Sequence, residues 1–261
     1  MTSTVLFAVA DGVADITLNR PDAANGIDRQ MAADLLDVAI GLRHDSTVRA
    51  VLLTGAGARF CAGGDVRSFA GAGDDVPRLL REITTDLHAA ISILVNLDAP
   101  LIAAVQGSAA GAGLGLVCAA DLVLAGASCK FVMAYTGIGL TPDGSTTWHL
   151  PRIVGARRAM ELTLTNRVLD AAEAAALGLV TDVVADDELA DRARALARQL
   201  AAGPTLAYGA AKRLLRASAG HDLETQMARE SDAISAAAAT VDGREGIASF
   251  VQRRPPTFSG R

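Results

Sequence analysis

Twice in this chain an apolar run that reads as a buried strand ends in a cluster of glycine and alanine. Val51-Leu52-Leu53-Thr54-Gly55 leads to Phe60-Cys61-Ala62-Gly63-Gly64-Asp65, and Leu101-Ile102-Ala103-Ala104-Val105 leads to Gln106-Gly107-Ser108-Ala109-Ala110-Gly111-Ala112-Gly113. Short continuous apolar runs suit strands covered on both faces, as in a parallel sheet. Parallel neighbours need helical crossovers, so the chain is restricted to α/β folds. The small residues after each run leave backbone N–H groups uncovered, and two such turns can aim two donors at one oxygen. An oxyanion hole of that kind holds a carbonyl as it gains negative charge and contributes roughly 3 kcal/mol per donor.

Around this pair the first half alternates strand and helix. Strands are expected over 5–9, 13–18, 49–54 and from Leu101, with helices near 29–44 and 76–97. Helices of that length between strands imply parallel pairing. Residues 68–75, rich in Gly and Asp, are expected to form a mobile loop beside the site. From Gly155 onward the pattern is helical, interrupted by a last strand over 179–184. Helices follow over 186–201, 205–217, 222–239 and 243–253, with Gly203-Pro204 as punctuation. The reading is a core over 1–202 and a helical region over 203–261, too apolar to bury on itself and so expected to meet other subunits.

Composition narrows the function. The chain has 261 residues, 51% of them hydrophobic, ample for a sizeable core. A net charge of −5 with acids and bases interspersed makes no basic stripe, which argues against nucleic acid and against a membrane surface. No apolar run reaches the roughly 18 to 20 residues needed to span a bilayer, and no signal segment is legible. Cys61, Cys118 and Cys129 are an odd number without metal-ligand spacing, as expected of a reduced cytoplasmic protein with no metal. Gly111-Ala112-Gly113-Leu114-Gly115 has the wrong glycine spacing for a dinucleotide fingerprint, and no P-loop, H-E-x-x-H or G-x-S-x-G occurs.

The order and spacing of the two glycine motifs resemble the crotonase (enoyl-CoA hydratase/isomerase) superfamily. The resemblance runs from Ile16-Thr17-Leu18-Asn19-Arg20-Pro21 and Asn25 to Phe250-Val251-Gln252-Arg253-Arg254-Pro255. Gly139-Leu140-Thr141-Pro142-Asp143-Gly144, with Trp148 and Leu150-Pro151-Arg152, resembles the acyl-CoA isomerase branch, which includes phenylacetate ring-epoxide isomerases. Lys130-Phe131-Val132 and Arg157 to Leu162 are similar to 4-chlorobenzoyl-CoA dehalogenase. The resemblance implies a ClpP-like ββα spiral core with a C-terminal helical oligomerisation region, as a homotrimer or a dimer of trimers. It implies an acyl-CoA substrate, with coenzyme A as part of that substrate and no other cofactor.

Residue by residue, the oxyanion donors map to the N–H groups of Gly64 and Ala112, where Ala112 replaces a usual glycine. Ala62, Asp65, Val66, Gly111 and Phe250 fall at substrate-binding positions. A basic residue frequent before Asn25 is Ala24 here. The two glutamates of the hydratases fall at Gly115 and Tyr135, so neither carboxylate of a hydratase is present.

Asp143 is the carboxylate that remains. From its surroundings alone, Pro142-Asp143-Gly144 before an apolar run suits a helix N-cap. The resemblance places a proton-shuttling acid there in isomerases and a nucleophile in the dehalogenase. His88, on an apolar helix, reads as a packed or surface residue, while the resemblance aligns it with a water-activating histidine and Tyr135 with a tryptophan. Gly64 stands where that dehalogenase has a phenylalanine. The function expected is acyl-CoA isomerisation with Asp143 as acid and base, assisted by Tyr135 and His88. The alternatives are dehalogenation or thioester hydrolysis through Asp143 and His88, or a silent CoA-binding relative.

Overall fold

The computed structural model of the chain describes residues 3–261. Strands β1 (Val5–Ala10) and β2 (Val13–Leu18) are joined by Asp11 and Gly12, both with positive φ, 53° and 76°, as a two-residue type I′ turn requires. This opening pair is antiparallel, with Val5 opposite Leu18. Then come α1 (Arg29–His44), β3 (Ala50–Gly55), α2 (Val66–Gly71), α3 (Val76–Asn96), β4 (Leu101–Val105), β5 (Ser108–Ala110), α4 (Ala112–Ala119), β6 (Leu122–Gly126) and β7 (Lys130–Val132). The second half holds α5 (Thr146–Val154), α6 (Ala156–Thr165), β8 (Leu169–Asp170), α7 (Ala171–Ala176), β9 (Asp182–Val184), α8 (Leu189–Ala201), α9 (Thr205–Ala217), α10 (Leu223–Ala238) and α11 (Val241–Gln252).

The main sheet has the order β1-β2-β3-β4-β6-β9 and is parallel from β2 onward, as the alternation with helices predicts. Successive side chains on a strand point to opposite faces, and here both faces are covered. Leu52, Ile102, Ala104 and Leu124 pack with Leu189, Ala193 and Ala197 of α8. Val51, Leu53, Leu101 and Ala103 join the larger core with Leu35 of α1 and Ile83, Leu87 and Leu94 of α3. A second sheet, β5-β7-β8, carries the chain away from the end of β4. Among the described residues no helix is long and apolar enough to cross a membrane.

Two expectations change. Residues 68–75 are not a loop: Asp65 caps α2 by accepting the Ser68 N–H at 3.2 Å, and a 3-10 turn over Gly73–Asp75 leads into α3. A capping aspartate and the packed ring of Phe69 outweigh the glycines. In 179–184 only Asp182–Val184 is strand, because Leu179 and Val180 are buried in the connection from α7.

Helix α9 is clamped to the core through Asp121. Its carboxylate accepts from Lys212 Nζ and Arg216 Nη2, each at 2.6 Å, and from the Leu101 N–H at 2.7 Å. Lys212 also donates to the carbonyls of Leu97 and Ala99, so α9 closes over the turn between α3 and β4. Beyond it α10 has no buried residue, and Leu223, Ile234, Phe250 and Val251 of α10 and α11 are exposed.

The loop after β2 turns on Asn25, which is fully buried with φ of 54°. Its Oδ1 accepts the Arg20 N–H at 2.8 Å, and Nδ2 reaches the carbonyls of Ala56, Arg59 and Phe60 at 2.9, 2.7 and 3.1 Å. Asn25→Ala strands these buried groups and is expected to cost about 3 kcal/mol, read from the urea midpoint at unchanged slope.

Candidate active site

The two glycine motifs meet because they run side by side as an extension of the sheet. The Phe60 N–H donates to Gln106 O at 2.9 Å, Cys61 N–H to Ser108 O at 3.2 Å, and Ala110 N–H to Cys61 O at 2.9 Å, forming a parallel bridge between Cys61 and Ala109. On the other side Gly63 O accepts the Ile27 N–H at 2.7 Å and Asp65 N–H donates to Ile27 O at 2.9 Å. The fit leaves no room for side chains. Gly63 has φ of +95°, and a Cβ there would lie 2.9 Å from Ala110 O and 3.3 Å from the Gly111 Cα. Cys61 donates its thiol to Asn25 O at 3.1 Å, and burial pushes its pKa up to about 12, so it is a packing residue and not a nucleophile.

Several backbone donors of the two motifs are engaged within the protein. The N–H of Gly63 turns to Cys61 Sγ, that of Asp65 to Ile27, and that of Gly111 to Val132 O at 3.1 Å. Among the described residues the N–H groups of Gly64 and Ala112 have no acceptor, and both residues line one cavity of about 440 Å³. Ala112 is the first residue of α4, so its free donor sits at the positive end of a helix, where developing negative charge is favoured. Phe69 backs Gly64 closely: a Cβ on Gly64 would stand 2.6 Å from Cζ of that ring.

Tyr135 and Asp143 line the same cavity. Tyr135 is buried and donates its hydroxyl to Asp143 Oδ1 at 2.6 Å, and burial together with the neighbouring carboxylate pushes the phenol pKa well above its ordinary value. Tyr135 is therefore a fixed donor and not a base. Asp143 Oδ2 has no partner among the described residues. The carboxylate does not cap a helix, since α5 starts after Ser145 in the left-handed region without a side-chain cap bond. Instead the Asp143 carbonyl takes both the N–H and the hydroxyl of Thr146, at 3.1 and 2.6 Å. The next peptide is anchored too: the Gly144 N–H donates to His88 Nε2 at 3.1 Å.

Gly115 explains how this turn comes so near. A Cβ on Gly115 would stand 2.5 Å from Gly144 O, so the turn carrying Asp143 occupies the space a side chain at 115 would need. Position 115 is thus a bare Cα under a backbone turn, and position 135 presents a phenol.

The cavity lining brings together Gly64, Ala112, Tyr135 and Asp143 with Ala62, Val66 and Gly111. Three further residues lie elsewhere. Asp65 points to Arg20 at 2.8 Å; burial alone would raise its pKa, but Arg20 and the Ser68 N–H outweigh that and hold the carboxyl below its usual range. His88 lies behind the Asp143 turn and lines an adjoining groove. Phe250 is 85% exposed on α11, away from the cavity. Sequence reasoning did not pick out Phe69, nor the α3 stripe of Leu80, Ile83 and Leu87 that forms the apolar wall, although its spacing of three and four residues is a helical signature. Among the described residues Asp143 is the one carboxylate lining the cavity, and no cluster of three His, Cys, Asp or Glu could hold a metal ion.

The sequence profile described as Enoyl-CoA hydratase/isomerase matches residues 8–261. The chain is 40% identical to a 1,2-epoxyphenylacetyl-CoA isomerase of Escherichia coli (strain K12) over 100% of both chains. It is 36% identical to 4-chlorobenzoyl coenzyme A dehalogenase-2 of Arthrobacter sp, covering 92% of this chain and 87% of that one. A solved enoyl-CoA hydratase from Polaromonas sp. JS666 superposes with a TM-score of 0.93 at 30% identity, covering 98% of this chain and 99% of that one.

Gly115→Ala tests the packing of the Asp143 turn. The added methyl must displace Gly144 O and is expected to cost about 1 to 3 kcal/mol in denaturant unfolding, as overpacking does.

Proposed function

Because the chain belongs to the enoyl-CoA hydratase/isomerase family, we propose that it is an acyl-CoA isomerase that moves a double bond, or rearranges a ring epoxide, through a thioester enolate. The observation that carries this reading is the lone carboxylate. Adding water across a double bond asks for an acid and a base together, whereas moving a proton between two carbons of one substrate asks for a single group that takes it and returns it. Asp143 meets that need, with Oδ1 fixed by Tyr135 and Oδ2 free to face the acyl group.

The thioester oxygen accepts from the Gly64 and Ala112 N–H groups. Asp143 Oδ2 takes a proton from the carbon next to the carbonyl, and the electron pair moves into the enolate that those donors hold. The same oxygen returns the proton further along the chain, and the double bond is left in its new place. Tyr135 keeps the carboxylate oriented through both steps. Much of the pocket wall is hydrocarbon, Ile27, Val66, Phe69, Leu80, Ile83 and Leu87, which suits an uncharged acyl group. A dehalogenating or hydrolytic course would need His88 to take a proton from water, but its Nε2 lone pair is engaged with the Gly144 N–H.

Asp143→Asn is expected to keep the fold and CoA binding, since the donors are backbone groups, and to lower isomerisation by about 100- to 10,000-fold in a 3-enoyl-CoA assay. Activity within a few-fold of wild type would reject the reading.

We also propose that the chain works as a trimer, or a dimer of trimers, with the exposed apolar residues of α10 and α11, Phe250 among them, against a neighbouring copy. Light scattering should give three or six times the 26.7 kDa chain mass, and a monodisperse monomer would contradict it.

A further inference from the structure

Asp143 lines two spaces. In front is the acyl cavity; behind the 142–145 turn is a groove of about 770 Å³. Helix α3 walls both, with Ile83, Thr84 and Leu87 toward the front and His88, Ser92 and Asn96 toward the rear. Both are lined largely by apolar side chains; the groove also carries Arg213, Arg216 and Arg229, and its Ser92, Asn96 and Thr147 are exposed, so it opens to solvent. His149 also lines it. That residue is 9% exposed, and burial, helped by Arg216 and Arg152, pushes its pKa down to about 4.

We propose that this rear groove is the solvent port of the proton shuttle, a path by which Asp143 exchanges its proton with water while acyl-CoA fills the front cavity. The proposal rests on the enolate reading given above. An acyl group packed against the aliphatic wall excludes water from the front. When the substrate C–H bond breaks, the proton forms an O–H bond on Asp143 and the electron pair passes to the enolate. The carboxylic acid then meets two competing fates. It returns that proton to the far carbon, or it exchanges it for one from water in the groove, with no net change in either partner. The product therefore carries solvent hydrogen in proportion to how open the groove is.

The test uses two probes with the intact protein. A 3-enoyl-CoA deuterated beside the carbonyl reports, by mass spectrometry of the product, how much label survives isomerisation. Phenylacetyl-CoA, which has an acidic C–H and no double bond to shift, reports proton exchange in heavy water by NMR. Ser92→Phe and Thr147→Trp fill the groove from exposed positions without touching the acyl cavity. The expected result is loss of label to solvent in the wild type, and label retention with an unchanged isomerisation rate in both variants. Phenylacetyl-CoA exchange should slow several-fold in the variants. Full retention in the wild type, or unchanged washout in variants of native stability, would overturn the port. If no enoyl-CoA isomerises but phenylacetyl-CoA exchange persists and the variants slow it, the isomerase reading fails and the port stands. Absence of both reactions would remove both.

Discussion

The parallel bridge between Cys61 and Ala109 is the contact on which the site depends. Strands β3 and β4 are held in register by the sheet, but an oxyanion hole needs two N–H groups from their separate exits to converge beyond it. The bonds from Phe60, Cys61 and Ala110 continue the ladder past the strand ends and engage the N–H groups of those residues. The Gly64 and Ala112 N–H groups are left without an acceptor beside the cavity. Asn25 supports the arrangement from behind by tying the carbonyls of Ala56, Arg59 and Phe60 to the loop after β2.

The Asp143 carboxylate is held with the same economy of parts. Four elements fix a turn that has little regular structure of its own: Tyr135 grips Oδ1, Thr146 grips the Asp143 carbonyl, His88 takes the Gly144 N–H, and the bare Cα of Gly115 lets Gly144 O approach α4. Holding a carboxylate from several sides preorganises it. A side chain at 115 and this turn cannot share the same space.

Farther out, Asp121 joins Lys212 and Arg216 to the start of β4, so the helical C-terminal region begins as a part of the core and ends as exposed apolar surface. Burial lowers the Lys212 pKa against the pull of Asp121, which marks the clamp as a desolvated pair whose members need one another.

The α/β class and the parallel core were legible in the residues, because buried parallel strands are written as continuous apolar runs, and the glycine motifs marked where backbone approaches backbone. What sequence left open was direction. Asp143 could equally cap a helix or face a pocket, and local spacing carries no information on where a side chain points once distant segments choose the turn. Contact with the Tyr135 hydroxyl in the lining of the cavity decided it. The same limit applies to the glycines of 68–75, which composition assigned to a loop and the capping bond of Asp65 with the buried Phe69 ring turned into a helix. His88 and Asp65 were found by motif position, yet their nitrogen and oxygen atoms face Gly144 and Arg20, because hydrogen-bond partners are settled by the packing of whole elements and not by the residue that bears the group.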